Sequence, residues 1–368
     1  MKSDQDLAQL QVEISKLSST IDQLQSGHGP ADPPLQLCQC PVSQCSVQCS
    51  VQRSTPPSCS PFVPDYNIPL LAPGGGNTNP TMLQNLGPLA GLIGTWVSQR
   101  NNGFNVMPLP QATAPNGFIL KNHFYYEVVT FSAIQGKVTN RGGLDEQDSY
   151  TLFYEQRVFF SDGVQANTLV HAENGAWLNL IKAPQGQGPL DTQPNIPSPP
   201  APNPIPPQDP ALEIVKQVSV PHGNSILAIG HQRTFAGAPA IPEVNTLPIG
   251  APPAFAAPYG TDIPSNPNIN PNIVLQDALT ALGHQGVHVA RTHELSVDSG
   301  NHGGVNNIPF IKQHIEVERF ANTLWLEELS NGHLMLQYSQ NISLKFPQPD
   351  GKSYIFPHIT ANTLTKVQ

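Results

Sequence analysis

The sequence predicts an all-β protein: an antiparallel up-and-down β-barrel of about ten strands, preceded by an N-terminal coiled-coil helix and interrupted by long proline-rich loops. Three observations predict it. Residues 334–346 alternate strictly, with Leu334, Leu336, Tyr338, Ile342, Leu344 and Phe346 on one parity and Met335, Gln337, Ser339, Asn341, Ser343 and Lys345 on the other. Short runs of the same kind recur from residue 94 to 366, several separated by Gly-containing turns. Thirty-two of the 40 prolines lie in residues 30–80, 184–210 and 221–271, so a proline content about twice the usual ~5% is a local property that leaves the strand-forming chain ordinary.

Residues 1–26 carry a heptad seam, with Leu7, Ile14 and Ile21 at a and Leu10, Leu17 and Leu24 at d. Isoleucine at a with leucine at d favours two parallel strands, which points to a homodimer; one amphipathic helix lying on the chain's own barrel has the same pattern. Residues 27–80 read as a Cys/Pro-rich linker holding Cys38, Cys40, Cys45, Cys49 and Cys59. Their spacing does not make paired C-x-x-C zinc units, and an odd count without a secretion signal argues against a closed disulfide framework.

Residues 81–368 are the barrel. Strands are expected at 94–99, 122–132, 149–160, 167–173, 175–182, 212–220, 224–235, 314–328, 334–346 and 355–366. Turns fall at Ser161-Asp162-Gly163, Glu173-Asn174-Gly175 and Ser330-Asn331-Gly332. One apolar and one wet face belong to an antiparallel sheet, because parallel strands buried on both faces read as continuous apolar runs. Closure into a barrel removes edge strands. Helices are expected at 81–92 and 272–282. Gln340 interrupts the apolar parity of its strand; such a side chain is either hydrogen-bonded to a neighbour or lines a ligand pocket. Residues 184–210 are too poor in large apolar groups to repay ordering. Residues 236–271, with Phe255 and Tyr259, have enough to pack on the barrel exterior or cover one end.

A formal charge of −9 with 17 Lys plus Arg provides no basic stripe, so no nucleic acid is expected as a partner. No run approaches the ~20 apolar residues of a membrane span and the N-terminus lacks a signal-peptide core, so a cytoplasmic, soluble protein is the expectation. Nucleophile elbows, H-E-x-x-H and phosphate-binding glycine loops are missing from the sequence. His284, His288, His293 and His302 cluster, but Gly283 and Gly286 oppose a helix there and a polar loop is expected.

LGPLAGLIGTW at 86–96, YYEVVTF at 125–131, VHAENGAW at 170–177 and PHITANTL at 357–364 together resemble the nitrobindin-type heme-binding β-barrels, which share their shape with lipocalins and fatty-acid-binding proteins. The resemblance spans residues 86–366 in the family's order, with much longer insertions. It implies heme b as cofactor and His358 as the axial iron ligand, within Pro357, His358, Ile359, Ala361 and Leu364. It implies His171, in His171-Ala172-Glu173-Asn174-Gly175, as a group on the other side of the heme; with Gln340 from its strand parity and Trp96 from the first motif, the candidate cofactor-binding set is His358, His171, Gln340 and Trp96. The segment after Trp96 departs from the family's glycine-rich turn, although Val106, Met107 and Leu109 remain candidates for the pocket entrance. The activity implied is the handling of nitric oxide or another small reactive nitrogen or oxygen ligand, with peroxynitrite isomerisation or weak peroxidase chemistry as its enzymatic forms. Two other readings stand beside it: a lipocalin-like carrier of an apolar small molecule without heme, and a scaffold that uses the coiled coil.

Overall fold

A computed structural model describes residues 80–367 apart from 135, 143, 144, 183–211, 262, 264 and 350. The coiled-coil seam, the cysteine tract and the 184–210 insertion lie outside the described residues, and with them the dimer expectation. Fourteen strands are present among the described residues, with helices α1 (Pro80–Leu86), α2 (Ile273–His284) and α3 (Pro309–His314).

Strands β1 (Gly94–Val97) and β2 (Gly103–Val106) both pair with β5 (His123–Ala133) on one side and β14 (Ser353–Lys366) on the other, and so act as one interrupted stave. From β5 the ring continues through β7 (Asp145–Phe160), β8 (Leu169–Lys182), β9 (Ile214–Val220), β10 (Asn224–Ala236), β11 (Val289–Asn307), β12 (Glu316–Leu329) and β13 (Leu334–Pro347) back to β14. Every neighbouring pair is antiparallel, which makes a closed ten-stave up-and-down barrel. A short β6 (Val138–Gly142) extends β7 outside the ring, and β3 (Pro108–Pro110) with β4 (Phe118–Leu120) forms a separate hairpin.

The expected ten strands agree with the ten staves of the barrel, but two of the assignments behind that number do not. The expected turn at Glu173-Asn174-Gly175 is the middle of one continuous strand, β8. Gly175 is there for proximity: a Cβ on it would lie 1.9 Å from the Gln217 carbonyl oxygen of β9, so only hydrogen fits. Gly175→Ala is expected to destabilise the barrel by about 1–3 kcal/mol through this overlap, read as a lowered denaturant midpoint. The expected polar loop around His293 is strand β11, whose Leu295 and Val297 enter the core between polar outward residues. Helix α2 does stop at His284, so His284 and His288 are not a helical pair.

One end of the barrel is packed solid. Met82, Leu86, Leu89 and Leu92, from α1 and the 3₁₀ turn Gly87–Leu92, plug it against Trp96, Trp177 and Leu326. Each large apolar side chain buried there contributes about 1.5–3 kcal/mol. At the opposite end, Phe255 and Tyr259 of the proline-rich 236–271 segment join Phe118, Tyr354 and Phe356, covering the β13–β14 side. The wet-face expectation for β13 holds only in part. Met335 and Gln337 are buried because α2 covers them: Leu279 and Leu282 pack beside Met335, and Gln337 Nε2 donates to the Leu275 carbonyl at 3.1 Å.

Candidate functional site

Between the packed end and the α3 end the barrel encloses a cavity of about 470 Å³, within the range of small-molecule sites. Aliphatic and aromatic side chains such as Val158, Ile226, Phe320 and Ile342 make most of its wall, with Phe310 and Ile311 of α3 at its rim. His358, His171 and Gln340, three of the four candidate cofactor-binding residues, meet there. Trp96 does not; it is fully buried in the packed end, where its Nε1 donates to the Leu92 carbonyl at 2.7 Å. Trp96 packs there because it stands on β1, the stave segment next to the plug. Met107 and Leu109 line the cavity, whereas Val106 is fully buried among Phe118 and Phe356 and offers only its carbonyl.

His358 belongs to β14, where Thr360 is the next residue to face inward. Burial pushes its imidazole down to about 4, opposed by a hydrogen bond to Val106 and assisted by His171 and His123, so the ring is neutral at physiological pH. A carbonyl only accepts, so the 2.9 Å bond between Nδ1 and the Val106 oxygen places the proton on Nδ1. The lone pair is then on Nε2. β8 lies four staves from β14 one way round the ring and six the other, which puts His171 across the barrel from His358. His171 Nε2 donates to Glu173 Oε2 at 3.3 Å and its ring lies 5.6 Å from that of His222. Its Nε2 proton is directed at Glu173 and not at the middle of the cavity.

Beneath the cavity is a buried polar layer. Glu173 Oε1 accepts from Tyr154 at 2.9 Å and from Lys216 at 3.4 Å, and Lys216 lies 5.1–5.4 Å from the ring centres of Phe320, Tyr154 and Trp177. Burial alone raises the Glu173 carboxyl, but the Lys216 cation outweighs it with help from His171 and Tyr154, leaving it near 2 and ionised. Glu127 is the opposite case. Burial pushes it up to about 7 despite the hydrogen bonds that its Oε2 accepts from Tyr338 (2.9 Å) and Gln156 (2.5 Å). The Tyr338 hydroxyl is also 2.8 Å from that of Tyr125, joining the layer to the cavity wall.

Gln340 makes no side-chain hydrogen bond among the described residues and lines the cavity. Lys216, Glu127 and Asn105 carry no assignment from sequence. For Glu127 and Lys216 the available signal is a charged residue on the apolar parity of its strand, as in Tyr125-x-Glu127-x-Val129-x-Phe131 and Ile214-x-Lys216-x-Val218.

Among the described residues no three His, Cys, Asp or Glu side chains form a metal-ion site, and no helix is long and apolar enough to cross a membrane. No protein-family model matches the chain, and no curated protein matches it.

Proposed function

We propose that this barrel is a heme-binding protein in which His358 Nε2 is the protein ligand to iron and the opposite face receives a small reactive ligand such as nitric oxide or peroxynitrite. The observation that carries the reading is the protonation of His358. A neutral imidazole, with Nδ1 donating to a backbone carbonyl and its Nε2 lone pair left over, borders an apolar cavity; iron ligation by histidine requires that arrangement. The motif resemblance around Pro357–Leu364 supports the same residue. When bound, heme supplies an iron with an open coordination position. The chain's own contribution is to orient His358 through Val106, to hold His171 against Glu173, and to exclude bulk water with Phe310, Ile311 and Ile315 at the rim.

Titration of the purified protein with hemin is the test. A shifted Soret band is expected for the wild type, and His358→Ala is expected to weaken uptake roughly 100-fold, at least as much as loss of a supporting outer-shell group. An identical spectrum and affinity in the variant overturns the ligand assignment. A second reading, a carrier of an apolar molecule without heme, is favoured by the aliphatic wall. Displacement of a fluorescent lipid probe without hemin uptake selects it. A purely structural barrel has less support, because its interior would be filled where this one holds a cavity.

A further inference from the structure

The wall formed by β2 and β14 shows a polarity that iron binding does not explain. His123 lies beside it, with Nδ1 3.0 Å from the Lys121 carbonyl, and burial lowers its pKa and keeps it neutral. The carbonyl takes the Nδ1 proton, so His123 Nε2 is an acceptor. That nitrogen is 3.3 Å from Asn105 Nδ2, which fixes the orientation of the Asn105 amide: its NH₂ is turned to His123 and its Oδ1 away. Asn105 is 6% exposed, lines the cavity, and has no partner for Oδ1 among the described residues. His358 presents a second acceptor, Nε2, on the same wall, since Asn105 pairs with Thr360 and His358 is the next inward residue of β14. Ionised Glu173 adds a third across the cavity. Lys216, in the buried layer beneath, is tied to Glu173 and Asn322 and enclosed by three aromatic rings. Gln340 and Thr360 can donate or accept, as can His222, and so favour neither kind of head group.

We propose that the cavity also selects apolar molecules whose head group donates hydrogen bonds, a long-chain alcohol or primary amide, and rejects the matching carboxylate. The donor satisfies Asn105 Oδ1, which otherwise stays buried without a partner. A carboxylate brings more acceptors to a wall of acceptors and loses its hydration without gaining a cation. A site built around buried polar atoms discriminates strongly against an analogue that cannot pair with them. The inference rests on the cavity being a ligand site and not on the ligand being heme.

The test is calorimetric titration of the full chain at pH 8 with decan-1-ol, decanamide and decanoate, which share one chain length. The alcohol and amide are expected to bind at least about tenfold tighter than decanoate, as one well-made hydrogen bond allows. Asn105→Leu is expected to remove most of that gap. Decanoate binding as tightly as decanamide in the wild type overturns the proposal, and so does an unchanged gap in an Asn105→Leu variant with the wild-type circular dichroism spectrum. If that variant does not fold, the wild-type series decides alone. Hemin uptake without any preference among the three head groups sinks this inference and leaves the heme reading standing; the preference without hemin uptake does the reverse.

Discussion

Lys216→Met is expected to lower the thermal midpoint of the barrel by ~10 °C. Methionine keeps the chain length and the aromatic surroundings, so packing is nearly preserved while the charge disappears. What remains is the Glu173 carboxylate, buried and facing Tyr154 and His171 without its cation. Removing one member of a buried pair typically costs about 3–5 kcal/mol, because the surviving charge has lost its water and its partner. Glu173→Gln in the Lys216→Met background is expected to recover much of the loss, and the two single changes are expected to be non-additive. Thermal melts of the four proteins make the comparison; a Lys216→Met midpoint equal to the wild type would show that Glu173 has another way to satisfy its charge. The pH dependence has a definite sign. The folded carboxyl sits near 2, below the ordinary 4.5, so its stabilisation is complete above about 4.5 and disappears as the pH falls toward 2. In Lys216→Met that acid limb is expected to shrink.

Glu327→Gln is expected to stabilise the protein at alkaline pH by several kcal/mol. Glu327 lies on β12 between Thr292 of β11 and Met335 of β13, with no exposed surface and no partner for either carboxyl oxygen among the described residues. Burial alone pushes its carboxyl up from 4.5 to about 8. Below about 4.5 the group is protonated both folded and unfolded and has no pH effect. Between 4.5 and 8 the unfolded chain gives up the proton while the folded chain keeps it, so stability falls as pH rises. Above 8 the full penalty is present, about 5 kcal/mol at 1.36 kcal/mol per pKa unit. Glutamine has no proton to lose. The difference between variant and wild-type denaturation midpoints is therefore expected to grow from pH 5 to pH 9; a constant difference would mean that Glu327 ionises freely in the folded state. Glu127, raised to about 7, bends the wild-type curve in the same direction, but it is common to both proteins and cancels in the difference.

The barrel was legible in sequence wherever one face of a strand was apolar and the other polar. β5, β7, β10, β12, β13 and β14 lie within a few residues of their expected positions. The errors have local causes. β11 resembles a loop in sequence, since its inward Leu295 and Val297 stand among polar residues and glycines. Glu173-Asn174-Gly175 has turn chemistry, but Gly175 answers to the backbone of β9 across the sheet, a partner 42 residues away in sequence. Met335 and Gln337 look solvent-facing until α2, about 60 residues earlier, is laid over them.

At the site, His358 and His171 could be named from the motifs that hold them and Gln340 from the parity of its strand, while Trp96 carried its motif into the packed end. Sequence alone determined the all-β architecture, the direction in which each regular strand faces, and a short set of inward polar residues, since side-chain alternation is a property of the extended backbone itself. Only the tertiary structure decided that His358 is protonated on Nδ1, that Lys216 neutralises Glu173, and that Asn105 turns its amide nitrogen to His123 and leaves its oxygen buried without a partner among the described residues. Each of those depends on a carbonyl, a carboxylate or a ring brought from a different stave, and burial and hydrogen-bond direction exist only once the barrel has closed.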